Sequence, residues 1–426
     1  MRITRLRIHN FRSLRNIDLS FSGTSVIVGP NASGKSNFAD ALAFIADVFN
    51  VGVEYAVANQ GGYDNIIFRR KIRSSAAIRF TIQMSLSKRE LMQFVGTSDD
   101  ELSDSIRNGI FEHSFSLASE GTSLESGYHI KEESFSLKYY SKIRSPFSFS
   151  FSRTASTTIT SIDKSASTFF RYIENEERFD SLLTHALKDS SELAFGILGR
   201  LTPVFGQIRR NLGSIAVYRL TPESTRGEGI PSRTAVLGLK GENLPAAVRA
   251  LEKSDSEGFE RVLNYMRQIL PSLKNVTVKP TPSRKWGLFF EEDGIGRAWS
   301  VNEVSDGTIQ ALALFLAIES HDGHGLLIIE EPENSIHPWV LREVLDACRS
   351  IAKTRQIMLT SHSPILIDML KPSEIIIASR INGETQLVKA TDIDEALDGL
   401  WARGEVSLAE YFDSGAMPEA VPHSEV

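Results

Sequence analysis

The segment that most constrains this chain is GPNASGKS, residues 29–36, because its spacing fits the pattern G-x-x-x-x-G-K-[ST]. An apolar stretch, SVIVG (25–29), precedes it, and apolar residues at helical spacing follow it over residues 36–48. A buried strand that runs directly into a helix leaves backbone N–H groups free at the turn, and such groups bind phosphate. A glycine-rich turn that arose by chance would not need this strand–turn–helix context. The sequence therefore predicts a phosphate-binding loop.

The polar groups of this loop fit the triphosphate of ATP together with its Mg²⁺ ion. The Lys35 ammonium would lie against the β- and γ-phosphate oxygens, and the Ser36 hydroxyl is a suitable magnesium ligand. Backbone N–H groups of the loop would surround the phosphates. We expect the nucleotide to contact residues on both sides of Lys35, namely Asn31, Ala32, Ser33, Gly34, Ser36 and Asn37.

Two carboxylates follow a second apolar strand. The stretch LLIIEEPE (326–333) places Glu330 and Glu331 just past that strand, and ligands of open α/β sheets gather at the carboxyl ends of strands. In that position Glu330 would hold Mg²⁺ through water, and Glu331 would orient or deprotonate an attacking water. Taken alone, the pair also fits a solvated acidic turn or the first turn of a helix. The phosphate-binding loop elsewhere in the chain favours catalysis.

Two further segments offer polar groups to the same ligand. His362, in TSHSP, follows another buried strand, where a neutral imidazole would reach the γ-phosphate or the attacking water. The segment SDGTIQALALFLAI is a polar turn that opens into an apolar helix, and it offers Ser305 and Gly307 as a second anion-binding helix N-terminus. We expect Asp306 to cap this helix through backbone N–H groups, because a carboxylate that faced a phosphate would repel it.

The composition indicates a globular protein with a large core. The chain has 426 residues, of which 41% are hydrophobic, and its net charge of −6 argues against a basic coat for nucleic acid over the whole surface. Two local basic runs, RRKIR (69–73) and RR (209–210), fit either a nucleic-acid or partner contact or a solvated charged face. Cys348 has no second cysteine to pair with, which is typical of the reducing cytoplasm. The longest apolar run, ALALFLAI, is too short to span a membrane.

Hydrophobic periodicity predicts an α/β fold. From residue 326 to 379 buried strands alternate with helices, which is typical of a parallel sheet covered by helices. Residues 1–86 and 213–414 would form one discontinuous nucleotide-binding domain of two lobes. An insertion at 87–212 would interrupt it, and a flexible tail at 415–426 would follow it. The serine-rich part of the insertion fits either β-strands, of which FSFSFS is an example, or a partly disordered loop, and a helical pair comes after it.

Five ordered motifs together resemble the ABC-type ATPase heads of the RecF/SMC/OLD group. IHNFRSLRNIDLSF is similar to the opening hairpin of that group, VGPNASGKSNFADAL to its Walker A motif and EVSDGTIQALAL to its signature motif. LLIIEEPENSIHP resembles its Walker B motif with the D-loop, and TSHSPILID resembles its switch-histidine loop. The resemblance covers most of residues 1–85 and 214–410. It implies a P-loop NTPase fold of the ABC-ATPase type, with a mixed or parallel sheet covered by helices.

The resemblance also implies how the motifs work together. ATP would lie between two subunits of a head-to-head homodimer, with Ser305 and Gly307 of each subunit closing over the γ-phosphate held by the other. It also places Arg12 near the nucleotide. The chain departs from the group in two places: the usual Walker B aspartate is Glu330, and the signature keeps one glycine instead of two. The position of the Q-loop stays open between Gln60, which comes early in the chain, and the favoured strand end RLTPE (219–223), which contains no glutamine.

The function that this resemblance implies is hydrolysis of ATP to ADP and phosphate, as the ATPase or sensor module of an antiphage defence or DNA-maintenance system. No spaced acidic cluster of the kind found in the Toprim nuclease domain of OLD proteins follows Ser379. We therefore expect a separately encoded effector protein, a nuclease or a toxin, and leave nucleic acid open as a partner. The alternative is a slowly hydrolysing, ATP-bound scaffold that sequesters and releases an effector without touching DNA. A transporter subunit ranks third, because it has no need of the long insertion.

Overall fold

The structure is a computed structural model. It describes residues 1–21, 23–68, 77–95, 106–119, 127–141, 147–154, 158–162, 192–201, 203–320, 325–394 and 397–413. Three predictions lie outside the described residues: the basic run at 69–73, the first member of the helical pair and the tail at 415–426.

The described strands and helices alternate along the second half of the chain as the sequence predicts. In chain order the strands are β1 (Arg2–Phe11), β2 (Leu14–Ser20), β3 (Thr24–Val28), β4 (Ile78–Ser87), β5 (Ile106–Ser119), β6 (Tyr128–Ser141), β7 (Phe147–Thr154), β8 (Thr158–Ile162), β9 (Ala216–Tyr218), β10 (Leu273–Pro280), β11 (Trp286–Glu292), β12 (Trp299–Ser300), β13 (Leu326–Glu330), β14 (Gln356–Ser361), β15 (Ile375–Ile381) and β16 (Glu384–Lys389). The helices are α1 (Lys35–Asn50), α2 (Val53–Asn59), α3 (Tyr63–Ile66), α4 (Lys88–Val95), α5 (Ala194–Leu201), α6 (Pro203–Gly213), α7 (Pro222–Thr225), α8 (Leu244–Ser254), α9 (Ser256–Ile269), α10 (Asp306–Ser320), α11 (Pro338–Ile351), α12 (Pro364–Asp368), α13 (Ala390–Ile393), α14 (Leu397–Ala402) and α15 (Leu408–Asp413).

A mixed sheet of six described strands lies at the centre of the fold. Its order is β16-β15-β3-β14-β13-β9, in which β15 to β9 are parallel and β16 is an antiparallel edge. The strands are apolar on both faces because alternate residues enter two different cores. Ile27 and Ile328 enter one core, whereas Val26 and Ile329 enter the other. The predicted α/β fold with a sheet covered by helices is confirmed.

Each face of this sheet is covered mainly by one helix. α1 packs into the first core through Phe38, Leu42 and Phe49. α10 lies in the second core, and its apolar residues from Ile309 to Ile318 are fully buried on all sides, as in a central helix. None of the described helices is both long and apolar enough to cross a bilayer.

A second, antiparallel sheet contains the serine-rich strands. Its order over the described strands is β2-β1-β4-β5-β6-β7-β8, so the FSFSFS segment is a strand, as one of the two interpretations predicts. Phe115 on β5 stacks on Phe80 of β4 at a ring distance of 5.3 Å, and both belong to the core that covers α1. The predicted domain boundary between residues 86 and 87 therefore falls within one continuous sheet.

A buried carboxylate connects this second sheet to α5. Glu133 on β6 is fully buried, and its oxygens accept hydrogen bonds from the backbone N–H groups of Ala194 (2.8 Å) and Phe195 (3.0 Å). His113 Nε2 and Arg153 Nε lie 3.1 and 2.9 Å from the same carboxylate. Burial opposes its ionisation, but the hydrogen bonds and the charge of Arg153 outweigh it and lower the pKa of Glu133. The stability that this charge contributes is present above the unfolded pKa of about 4.3 and is lost as pH falls through the lower folded pKa.

The change Glu133→Gln is expected to lower the free energy of unfolding by about 3–5 kcal/mol, because it leaves buried donors without their anion. Urea denaturation at neutral pH measures the loss. The matched control is Glu132→Gln, at the next residue, where the pair with Arg79 is exposed and is expected to contribute no more than about 1 kcal/mol. Equal losses in the two variants would contradict a structural role for the buried charge.

Candidate active site

The loop at residues 29–36 joins β3 to α1 and packs closely against neighbouring strands. Gly34 has a φ of +105°, a conformation that favours glycine, and a Cβ at this position would overlap Thr385 Oγ1. A Cβ at Gly29 would overlap the backbone oxygen of Ala378 on β15. The glycines of the sequence pattern are therefore required by backbone conformation and by space.

The Lys35 side chain folds back over this loop. Its Nζ donates hydrogen bonds to the backbone oxygens of Gly29 (2.8 Å) and Pro30 (3.0 Å), and the residue is 5% exposed. Burial lowers the pKa of Lys35, and the negative charges of the three glutamates within residues 330–333 act in the opposite direction. β3, β14 and β13 are adjacent parallel strands, so the loop after β3 and the carboxylates after β13 lie at the same edge of the sheet.

Polar side chains hold the loop from behind. Thr385 Oγ1 on β16 donates to the backbone oxygen of Ser33 (3.0 Å) and lies 2.6 Å from Ser13 Oγ. Ser13 Oγ accepts a hydrogen bond from Asn37 Nδ2 (2.6 Å), so Asn37 contributes to this support. The remaining predicted loop contacts are exposed and open to a ligand, namely Asn31, Ala32 and Ser36.

A chain of alternating charges extends from the end of β13 to the β1–β2 hairpin. Glu330, with a side chain that is 8% exposed, accepts a hydrogen bond from Arg219 Nε (2.6 Å). Arg219 also pairs with Asp40 on α1, and Asp40 in turn pairs with Arg12, which donates to Gln60 Oε1 (2.6 Å). Burial, followed by the charge of Arg219, lowers the pKa of Arg12. The structure thus connects Arg12 to Glu330 through two residues that the sequence did not single out, Asp40 and Arg219.

The second carboxylate lies beside the histidine. Glu331 has a φ of +46°, and its backbone N–H donates to the Thr360 oxygen on the neighbouring strand (2.9 Å). His362 Nδ1 lies 3.4 Å from Glu331 Oε1 and 3.5 Å from Glu333 Oε1. Glu333 Oε1 also accepts hydrogen bonds from Ser361 Oγ (2.6 Å) and from the His362 backbone N–H (3.1 Å). Glu333 therefore holds the segment that carries the histidine.

Several buried polar atoms at this edge of the sheet have no hydrogen-bond partner among the described residues. They are Ser33 Oγ, Thr360 Oγ1 and Glu333 Oε2. Buried polar atoms are normally paired, so a cluster of such atoms around one loop is suited to a polar ligand.

The residues present fit a magnesium ion that arrives with a phosphate ligand. Mg²⁺ in proteins is usually held by one or two carboxylates together with substrate phosphates and water. Glu330 would supply the carboxylate and Ser36 the hydroxyl. Within the described ranges, no group of three or more His, Cys, Asp or Glu side chains forms an all-protein metal site.

The start of α10 differs from the prediction in one residue. The helix begins at Asp306, so Ser305 is its cap, and Ser305 Oγ accepts a hydrogen bond from the Thr308 N–H (3.2 Å). Asp306 instead pairs with Arg226, whose Nε and Nη2 lie 3.0 and 2.6 Å from its Oδ1. The expectation that Asp306 caps the helix is therefore wrong, because it lies inside the first turn and an arginine neutralises it.

The signature segment is separate from the phosphate-binding loop of its own chain. No hydrogen bond or ion pair between described residues joins Ser305 or Gly307 to residues 29–37. A Cβ at Gly307 would lie 3.1 Å from the backbone oxygen of Ser335, so glycine lets the start of α10 approach the segment after β13. Ser305 is exposed and Gly307 is partly buried at the start of α10.

Sequence reasoning assigned no role to five polar residues of the site: Ser13, Asp40, Arg219, Glu333 and Thr385. Arg219 lies in the predicted strand end RLTPE (219–223), and Glu333 lies inside the EEPE segment, so these two carried a weak signal. The others come from three different elements, and only the fold brings them to the loop.

A phosphate-binding loop between a parallel strand and a helix, with carboxylates and a histidine at the ends of adjacent strands, defines a P-loop NTPase fold of the ABC-ATPase type. A family model described as "AAA domain, putative AbiEii toxin, Type IV TA system" matches residues 25–368, which is most of the chain. The chain belongs to this family. The resemblance to ABC-type ATPases that the motifs predicted is confirmed.

Several solved head domains of SMC proteins are similar to this chain. An SMC head bound to the C-terminal winged-helix domain of ScpA is 13% identical to this chain. The match spans 91% of this chain and 97% of the SMC head, with a TM-score of 0.49. The SMC head domain from Thermotoga maritima is 11% identical over 91% of this chain and 99% of its own, with a TM-score of 0.40. An SMC head from Pyrococcus furiosus, with an extended coiled coil and bound to the C-terminal domain of ScpA, is 12% identical over 94% and 99%, with a TM-score of 0.44. Likenesses this low carry no information on activity or partners.

Proposed function

We propose that this protein binds ATP with Mg²⁺, hydrolyses it to ADP and phosphate, and forms a head-to-head dimer with ATP at the interface. The observation that carries the proposal is that Lys35, Glu330, Glu331 and His362 follow the adjacent parallel strands β3, β13 and β14 at one edge of the central sheet. These four groups come from three separate segments of the chain. A lysine, two carboxylates and a histidine around a phosphate-binding loop suit phosphoryl transfer to water.

Each group has a role that its surroundings support. Lys35 would exchange its bonds to two backbone oxygens for bonds to phosphate. Ser36 and Glu330 would hold magnesium, which would supply positive charge to the phosphate oxygens. Glu331 would accept a proton from the attacking water, and His362, 3.4 Å from Glu331, would hold that water or the γ-phosphate in place.

The start of α10 supports a dimer. Ser305 caps its first turn by accepting a hydrogen bond from the Thr308 N–H, and among the described residues the start of the helix makes no polar contact with its own phosphate-binding loop. The backbone N–H groups of a first helical turn favour an anionic ligand. Two large apolar side chains, Trp339 (47% exposed) and Ile365 (46% exposed), follow the segments that carry Glu331 and His362. In the proposed dimer these two side chains would lie on the surface that the second subunit covers.

The proposed setting is an antiphage defence or DNA-maintenance system with a separately encoded effector. The family description names a toxin of a type IV toxin–antitoxin system, which supports a place in defence. Turnover stimulated by DNA would favour direct sensing of nucleic acid. A slow rate unaffected by DNA, together with stable co-purification of another protein, would favour the scaffold that sequesters an effector.

Complementation between two inactive variants tests the shared site. Ser305→Arg keeps its own phosphate-binding loop, so it is expected to bind ATP normally and yet to hydrolyse none. Lys35→Ala keeps its Ser305. In an equal mixture about half of the dimers contain one copy of each variant. Each of these mixed dimers has one complete site out of two, so up to about a quarter of the wild-type rate is expected to return.

Phosphate release measures this recovery, with each variant alone at the same total concentration as the control. A mixture no more active than its two components would contradict a site built from two subunits. Loss of ATP binding by Ser305→Arg alone would also contradict a role for Ser305 toward the other subunit.

A further inference from the structure

The contact between Arg219 and Glu330 is not explained by any of the five motifs. β9 pairs in parallel with β13, with Tyr218 opposite Ile329, so the next residues of the two strands lie side by side. Arg219 Nε is 2.6 Å from Glu330 Oε1, and the Glu330 side chain is 8% exposed. The carboxylate that would bind magnesium is therefore already paired with a cation, the Arg219 guanidinium.

The Arg219 side chain can break its contact with Glu330 and still keep a second carboxylate partner. Its side chain is 42% exposed, so it has room to move, and its Nη2 pairs with Asp40 Oδ1. The other oxygen of Asp40 pairs with Arg12. If the bond to Glu330 breaks, the Arg219 guanidinium keeps a carboxylate partner, and both arginines remain paired with Asp40 on α1, the helix that follows the phosphate-binding loop.

We propose that Arg219 is the cation that occupies Glu330 in the magnesium-free protein, and that magnesium arriving with the nucleotide displaces it from that carboxylate. This inference rests on the proposed binding of ATP and magnesium. A nucleotide without metal then meets a neutral arginine–glutamate pair instead of a bare carboxylate. A nucleotide with metal must break that pair. Arg219 therefore reduces the dependence of nucleotide binding on magnesium.

The quantity that tests this is the ratio of two dissociation constants for a non-hydrolysable ATP analogue, one in excess EDTA and one in excess magnesium. Isothermal titration calorimetry measures both on the full chain. In Arg219→Ala the exposed charge of Glu330 repels the metal-free nucleotide and attracts the metal, so the ratio is expected to rise at least about tenfold over wild type. Arg219→Lys keeps the positive charge and is expected to stay within a few-fold of wild type.

Two controls separate this role from a structural one. In a Glu330→Gln background the carboxylate is absent, so adding Arg219→Ala is expected to leave the ratio unchanged. Arg261→Ala removes a similar pair far from the motifs, with Arg261 Nε 3.0 Å from Glu319 Oε2 and side-chain exposures of 49% and 3%. This variant is expected to lose some stability and to keep the wild-type ratio.

The outcomes distinguish the inference from the function on which it rests. Wild-type protein that binds the analogue under neither condition would overturn both. Wild-type protein that binds, with the same ratio in Arg219→Ala, would overturn the inference alone. A raised ratio in Arg219→Ala that persists in the Glu330→Gln background would also overturn it, because the effect would then not act through Glu330.

Discussion

Replacing Glu331 with glutamine is expected to reduce the rate of ATP hydrolysis by about 100-fold or more while leaving nucleotide binding intact. The glutamine amide keeps the shape of the glutamate side chain, and its oxygen can still accept the hydrogen bond from Asn334 Nδ2. The amide cannot, however, accept a proton from the attacking water. Phosphate release under saturating ATP gives the rate, and calorimetry with ATP gives the affinity. The variant should therefore trap the ATP-bound state.

The control for this change is Glu343→Gln, on α11 and outside the site, which is expected to hydrolyse ATP at the wild-type rate. A Glu331→Gln protein as fast as wild type would show that another group takes the proton. A protein that fails to bind ATP would show instead that Glu331 shapes the binding site.

Replacing Lys35 with alanine is expected to weaken ATP binding by at least about 100-fold, because phosphate loses a buried, charge-assisted donor. In the structure the same ammonium donates hydrogen bonds to the backbone oxygens of Gly29 and Pro30. It would exchange these bonds for bonds to phosphate when ATP binds. Titration calorimetry in excess magnesium measures the affinity.

Lys240→Ala, which removes an exposed lysine outside the phosphate-binding loop, serves as the matched control and should bind as wild type does. Thermal melting without nucleotide checks that both variants fold. Wild-type affinity in a folded Lys35→Ala protein would rule out the phosphate-binding role of residues 29–36.

The central sheet was predictable because its strands are buried on both faces. Short, mostly apolar runs such as LLIIE and QIMLT leave few alternatives to a buried strand, and the helix between them implies parallel order. The N-terminal sheet was less predictable. Alternating serine and phenylalanine fits a strand, but the pairing of β5 with β4 is a contact between segments that no local pattern encodes. For that reason the sequence placed a boundary where the structure has a continuous sheet.

The motifs of the site were predictable because each depends on a short stretch of chain. The loop, the two carboxylates and His362 each follow a strand directly, and parallel strands bring their carboxyl ends together. The charge chain through Asp40 and Arg219 was not predictable, since one member lies inside α1 and the other follows a three-residue strand. Asp306 was misassigned because helix ends are hard to place to one residue, and an arginine distant in sequence neutralises it.

The central claim, that two copies close around ATP, is tested most directly by the mass of Glu331→Gln protein in solution. Light scattering after size-exclusion chromatography, with ATP and magnesium in the running buffer, reports it. We predict a dimer with ATP and a monomer with ADP or without nucleotide. Adding Ser305→Arg to the same chain should keep it monomeric in ATP. A Glu331→Gln protein that binds ATP and stays monomeric would contradict the account.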